Sequence, residues 1–433
     1  MPTTYYTGCR LITGDGSAPL DDAVIAVRDG IIDAAGPAAD VPVPEGATRV
    51  DLSGKTVMPT IVNPHGHIGY LKDGETHPRN YSRENVLDHL RRLTYYGVSV
   101  FQSLGTDRDG IELAVRDAQR SGDLTDPELA LLLSAGSGLV APTAGSANAG
   151  PFFATDVLHE VTGPEQARRT VRELAAAERK PDVIKFWVDD RWGQKAKFGP
   201  EISAAIIAEA HAQGLRAIAH IFELDDAKAV VRAGADGIAH MVREPGPDQE
   251  LIDLLVEHDV FVFTSMSIQK GFFGDTAWLD DPALAETVPP AHRAAVRAQV
   301  EAFAASVDTD WQKAYEVLES GLCRLVESGV RVLLSADSGV GSQFLGFAEH
   351  LELEAMVRAG MPAPAAIRAA TLLPAQLLGL ADRGSITPGK RADMLVLDAD
   401  PLDDIAHTRR ISQVIIGGVP IDRPALRAAW EEG

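Results

Sequence analysis

Residues 211–240, HAQGLRAIAHIFELDDAKAVVRAGADGIAH, hold two copies of one pattern. An apolar run ends on a histidine at Leu215–His220, and a second ends on a histidine at Ala235–His240. Between them, Glu223–Gly234 spaces its apolar residues for one face of a helix. Gly214 and Gly234 stand where helices end, a position that favours a left-handed backbone and therefore glycine. Strand, helix and strand in this order make the unit of a parallel sheet, because parallel neighbours need a long crossover.

The same rhythm extends outward. TIVNPHGH, GVSVFQSLG, LALLLSAG, DVIKFWV, VFVFTS and VRVLLSAD read as further strands, and PEISAAIIAEAHAQG and QELIDLLVEHD as further helices. Eight strands alternating with helices over residues 59–380 predict an α/β fold, a (β/α)8 TIM barrel, with a doubly wound sheet as the alternative. The chain ends read differently. AVIAVRDGIIDAAG and TRVDLSGKTVMPT at one end, and RADMLVLDAD and ISQVIIGGVPID at the other, are short strands with turns, Asp29-Gly30 among them. Residues 1–58 and 381–433 are therefore expected to meet as one small β-sandwich domain, interrupted by the barrel. Residues 270–312, rich in Trp, Phe, Asp and Pro, exceed an ordinary connection and read as a helical insertion, a candidate lid.

Composition narrows the partners. The 433 residues carry a formal net charge of -22, which disfavours nucleic acid and anionic membrane surfaces. No apolar run is long enough to span a bilayer. MPTTYYTGCRLITGDG lacks the basic start and apolar core of a secretory leader. Cys9 and Cys323 are the only cysteines, so reduced thiols and a cytoplasmic home are expected.

Chemistry gathers at the strand ends. His65 and His67 lie one residue apart, so an extended backbone sends both rings to the same face. The fourth strand carries Lys185, the fifth ends at His220, the sixth at His240 and the eighth at Asp337. Each residue alone has a structural explanation: a hydrogen-bonded histidine, a salt-bridged lysine, a helix-capping aspartate. Together they line one rim, where barrels place their active sites, and become candidate ligands for two divalent cations. An ammonium beside cations is repelled, but burial and positive neighbours lower a lysine's pKa. A neutral Lys185 amine could then add carbon dioxide and become an anionic carbamate.

This set resembles the amidohydrolase superfamily of metal-dependent hydrolases, over nearly the whole chain. GSITPGKRADMLVLDADPLDDI is similar to that superfamily's return to its β-sandwich domain. Residues 211–240 and AGMPAPAAIRAATLLPAQLLGLADRGSITPGK are similar to the imidazolonepropionase-like branch, which includes Xaa-Pro dipeptidases. The resemblance implies a binuclear centre, usually zinc. His65, His67 and Asp337 would hold the more buried ion and His220 and His240 the second, with carboxylated Lys185 as bridging ligand. Metal-activated hydroxide would attack, and Asp337 would carry the proton to the leaving nitrogen. The implied reaction cleaves an amide-like C–N bond of a small molecule: a dipeptide, an N-acyl amino acid, a urea or carbamate, or a cyclic amide. Ester or lactone hydrolysis, a lyase step on the same centre, and a binding homologue without catalysis are the alternatives. A homo-oligomer is expected only because such relatives often assemble.

The chain departs from the pattern in places. Thr60 follows Pro59 where Gly is usual, Asn63 stands where Asp is common, and Met241 follows His240 where Gly is common. FWVDDRWGQKAKFG replaces a glycine-rich loop. Candidate substrate contacts are Tyr70, Trp187, Trp192, Met241 and Arg243. Tyr70 reads equally as packing at the barrel mouth, Arg243 as a surface salt bridge, and one of the tryptophans as core.

Overall fold

A computed structural model describes residues 2–142, 157–190, 193, 195–243, 245–306 and 311–432. The chain opens with β1 (Thr4–Leu11), β2 (Leu20–Arg28), β3 (Ile31–Pro37), β4 (Thr48–Asp51) and β5 (Thr56–Pro59). Next come β6 (Ile61–Gly66), a small hairpin of β7 (Leu71–Lys72) and β8 (Glu75–Thr76), β9 (Val98–Ser103), β10 (Leu131–Ser134), β11 (Leu139–Val140) and β12 (His159–Glu160). Then follow β13 (Val183–Val188), β14 (Arg216–Ile221), β15 (Gly237–Ala239), β16 (Phe261–Phe263) and β17 (Arg331–Leu333). The chain closes with β18 (Met394–Leu397), β19 (Ile411–Ile416) and β20 (Val419–Pro420).

Both chain ends build one sheet, ordered β20-β19-β18-β5-β1-β2-β3, with β4 beside β1. They join where β18 runs antiparallel to β5, Met394 opposite Pro59. Leu11, Ile25, Val57, Met394, Val396 and Ile415 form a core of their own there.

The central part is α/β. β6, β9 and β10 form one parallel sheet. β11 to β17 form a second, in which β13 to β17 lie side by side in chain order, all parallel. Helices separate the strands as the 211–240 pattern predicts: Pro200–Ala212 precedes β14, Leu224–Arg232 links β14 to β15, and Gln249–Glu257 links β15 to β16. Gly214 and Gly234 take the left-handed backbone expected of them. β6, β9 and β13 are buried along their whole length, as parallel strands covered on both faces must be. Two hydrogen-bonded seams connect the parallel sheets. Asp182 N–H donates to the Ser134 carbonyl (2.9 Å), and His67 N–H donates to the Ser338 carbonyl (2.8 Å).

A single residue, Thr60, separates the end sheet from the parallel part. Its N–H donates to Asp393 O (3.2 Å), while the next N–H, of Ile61, donates to Gly97 O (2.9 Å). The stretch 270–312 contains helices Pro282–Ala285 and Pro290–Ser306. Leu279, Leu284 and Val296 from it are buried in the main core. The final helix, Arg423–Glu432, leaves the end sheet and docks on helix Arg83–Tyr95. There Trp430 Nε1 donates to Asp88 (2.7 Å) and its ring meets Tyr95 edge-on at 5.4 Å. Cys9 and Cys323 are free thiols, one buried and one half-buried. No described helix is long and apolar enough to cross a membrane.

Gly97 marks the junction. Its φ is +78°, and a Cβ there would lie 2.5 Å from Leu395 Cδ1 of the end sheet. Gly97→Ala is expected to cost about 1–3 kcal/mol, from left-handed strain and overpacking. Urea unfolding checks this; a midpoint equal to that of the wild type would contradict the tight junction.

Candidate metal centre

β6 delivers the two histidines. Gly66 between them faces the other way, where a Cβ would meet Phe101 Cζ at 2.5 Å and Ser338 O at 2.9 Å. The spacer must therefore be small for β6 to pack between β9 and the turn after β17. Each ring is anchored by one nitrogen. His65 Nδ1 lies 2.9 Å from Ser335 Oγ, and His67 Nδ1 lies 3.0 Å from Thr106 Oγ1. Their Nε2 atoms converge on Asp337 Oδ1, at 3.5 Å and 3.3 Å.

The second parallel sheet supplies the rest. Lys185, 1% exposed, points from β13 with its Nζ 4.8 Å from the centre of the Trp187 ring. His220 ends β14, with Nε2 3.1 Å from Asp189 Oδ2. His240 follows β15; its ring lies 4.6 Å from that of His220 and 5.1 Å from that of His65, centre to centre. Donor atoms of His65, His240 and Asp337 all lie within 4.8 Å of one another. The predicted ligands thus gather at or just past the C-terminal ends of parallel strands, except Lys185, which reaches the site from the middle of β13.

The backbone is bent to achieve this. His240, Ser265 and Asp337 adopt φ of 75°, 51° and 51°, just past β15, β16 and β17. Such left-handed conformations cost non-glycine residues roughly 1–3 kcal/mol each.

Several polar atoms at the centre lack a hydrogen bond. His65 Nε2, Lys185 Nζ, His240 Nδ1 and Asp337 Oδ1 are buried with no hydrogen bond among the described residues. Each such group costs about 1–3 kcal/mol unless something completes it. Burial also sets the charge states. It pushes His65 below the usual histidine range, helped by Lys185, and His240, helped by His220. It lowers His67 too, against the pull of Asp337. Burial brings Lys185 down to about 7, although Asp337 works the other way. Burial would raise the Asp337 carboxyl, but His65, His67 and Lys185 hold it below the ordinary carboxylate range. Neutral imidazoles beside an ionised carboxylate are the donor set that a divalent cation takes.

The candidate substrate contacts fare differently. Tyr70 is fully buried, donates its hydroxyl to Thr106 O (2.7 Å) and packs against Tyr81, so it forms part of the wall. Trp187 is buried beside Lys185, in space left by Gly105 and Gly138. Met241 belongs to the main core. Arg243 is a buried residue rather than a surface one, its guanidinium 4.8 Å above the Phe222 ring. Trp192 lies outside the described residues. Sequence reasoning missed Ser335, Thr106 and Asp189, which orient His65, His67 and His220. Of these only Ser335 carried a signal, two residues before Asp337 on the same strand-end run.

The profile of the amidohydrolase family matches residues 56–421. Over 449 residues the chain is 26% identical to an imidazolonepropionase of Deinococcus radiodurans, covering 97% of this chain and 100% of that protein. Over 474 residues it is 25% identical to an ochratoxinase of Aspergillus niger, covering 99% and 88%. A solved Xaa-Pro dipeptidase with bound methionine superposes with a TM-score of 0.75 at 23% identity, covering 97% of this chain and 99% of that one, a likeness of fold.

Lys185 makes the metal-free protein sensitive to pH. Its folded pKa lies near 7 against an ordinary 10.5, so the unfolded chain binds more protons between these values. In chelator-treated, carbon-dioxide-free buffer, stability is expected to rise from pH 7 to pH 10. Lys185→Met should flatten that rise. Parallel urea titrations of the two proteins check it; equal slopes would contradict the assignment.

Proposed function

The chain belongs to the amidohydrolase family, and on that premise we propose that residues 59–380 close into one (β/α)8 barrel bearing a two-metal hydrolytic centre. The two seams at Ser134 and Ser338 support closure, since they link the parallel sheets on both sides. Residues 1–58 and 381–433 would form the accompanying small β-sandwich domain; their shared sheet and separate core support one domain built from both chain ends. The protein is a hydrolase acting on C–N bonds.

The observation that carries the metal reading is the set of buried atoms on His65, Lys185, His240 and Asp337 that make no hydrogen bond among the described residues. Replacing one of them by an apolar atom would be cheaper than leaving all four unsatisfied, unless a cation completes them. His65 and His67, with Asp337, would hold one ion; His220 and His240 would hold the other. Lys185 would serve both. Its Nζ, substantially neutral near pH 7, adds to the carbon of carbon dioxide, loses a proton and leaves an anionic carbamate. The hydroxyls of Ser335 and Thr106 and the carboxylate of Asp189 orient the imidazoles, as outer-shell partners do in metal sites. Zinc suits this mixture of imidazole and carboxylate ligands.

When bound, such ions lower the pKa of water and polarise a carbonyl. Asp337 remains ionised among its histidines, so it accepts the proton of the attacking water and passes it to the departing nitrogen. Arg243 offers a guanidinium for an anionic group on the substrate, and Trp187, beside Lys185, offers an apolar wall. The substrate class is a small amide: a dipeptide, an N-acyl amino acid, a urea or carbamate, or a cyclic amide.

Matched amide and ester substrates test the reaction. Amide turnover that vanishes on chelation and returns with zinc is expected; turnover of esters alone would move the chemistry to the ester and lactone alternative. Asp337→Asn keeps an oxygen ligand but removes the proton carrier. It should lower kcat by about 10²–10⁴-fold while retaining much of the metal. Wild-type turnover in that variant would remove Asp337 from this role.

A further inference from the structure

Behind the histidines lies a carboxylate that the reaction above does not use. Glu349 sits in the first turn of helix Phe347–Arg358 and is fully buried. One of its oxygens, Oε1, accepts from Asn63 Nδ2 at 2.6 Å and from Ser338 Oγ at 2.6 Å. Asn63 in turn accepts the His65 N–H at its Oδ1 (3.0 Å). Ser338 accepts the His67 N–H at its carbonyl (2.8 Å) and directly follows Asp337. Gly66 and Ser338 are also bridged as parallel neighbours. A single oxygen is therefore keyed to the backbone of both histidines and to the turn that carries the aspartate.

The other oxygen, Oε2, is buried with no hydrogen-bond partner among the described residues. A carboxyl group in that position is expensive, and an apolar side chain would pack there without the penalty. Its place in the first turn offsets part of that cost, because the Gly346 and Glu349 N–H groups favour the ionised carboxylate, but capping the helix does not require the links to Asn63 and Ser338.

We propose that Glu349 is a positioning residue for the metal centre, a clasp that sets the spacing between the His65/His67 strand end and the Asp337 turn. The proposal rests on the two-metal reading above. Glu349 touches no reacting atom; it acts through Asn63 and Ser338. It also accounts for Asn63, whose amide can donate to Glu349 and accept from His65 at once, which a carboxylate could not do.

Glu349→Gln and Glu349→Met separate this role from packing, because both match the length of glutamate but only glutamine offers an oxygen acceptor. The readout is zinc affinity of the full-length protein by chelator competition, beside the thermal midpoint of the chelated protein. Gln is expected to bind zinc within about threefold of wild type, and Met to lose about 10–100-fold, the usual cost of removing an outer-shell partner. Wild-type zinc affinity in the Met variant would overturn the clasp. Should the Met variant not fold, Ser338→Ala carries the test, since it deletes only one of the two donors to Oε1. A loss of severalfold in zinc affinity supports the clasp, and an unchanged value overturns it. Wild-type protein that binds no zinc would instead overturn the two-metal reading, and the clasp with it.

Discussion

The hydrogen bond from His67 N–H to the Ser338 carbonyl, 2.8 Å long, joins the end of the first parallel strand to the turn after the last. The candidate site depends on this seam. On one side stand His65 and His67, on the other Asp337, and the converging atoms are only 3.3–3.5 Å apart. Strands separated by some 270 residues of chain reach that distance only if their backbones are in register. Gly66 permits the approach, because any side chain there would press on Phe101 and on Ser338 itself.

The arrangement is costly to fold. Left-handed backbones at His240, Ser265 and Asp337, and buried polar atoms without partners, oppose stability. The fully buried strands β6, β9 and β13 and the continuous apolar core around them offset this cost. Left-handed backbones also occur at Asp22, Asp29, Asp73, Asp109 and Asp259, but those at His240, Ser265 and Asp337 follow three successive strands and carry or flank candidate ligands.

Much of this was legible in the chain. The pattern in residues 211–240 predicted strand, helix and strand, and the structure places β14, a helix and β15 there. Five of the six candidate ligands were picked out because they stand at the end of apolar runs, and Lys185 because it interrupts one; the structure brings all six near one another. The anchors were scarcely legible, Ser335 alone being marked by its place two residues before Asp337. Thr106 and Asp189 are ordinary polar residues past strand ends, and nothing in their spacing points to a histidine. Glu349 was hidden for a different reason. In FAEHLELEAMVR nothing sets the glutamates at 349 and 352 apart from the exposed charges usual on a helix, yet both are fully buried. Glu352 accepts from the Met266 and Ser267 N–H groups past β16, a purpose visible only in three dimensions. Local sequence likewise gave no hint that Arg243 would be buried over Phe222, or that the last helix would dock on helix Arg83–Tyr95.

Metal content per chain of freshly purified protein, measured by elemental mass spectrometry beside a Lys185→Ala variant, tests the central claim most directly. The account predicts about two zinc ions in the wild type and fewer in the variant, since the lysine serves both positions. Folded protein with no metal in either sample would contradict it, and the unpartnered atoms around Asp337 would then need another occupant.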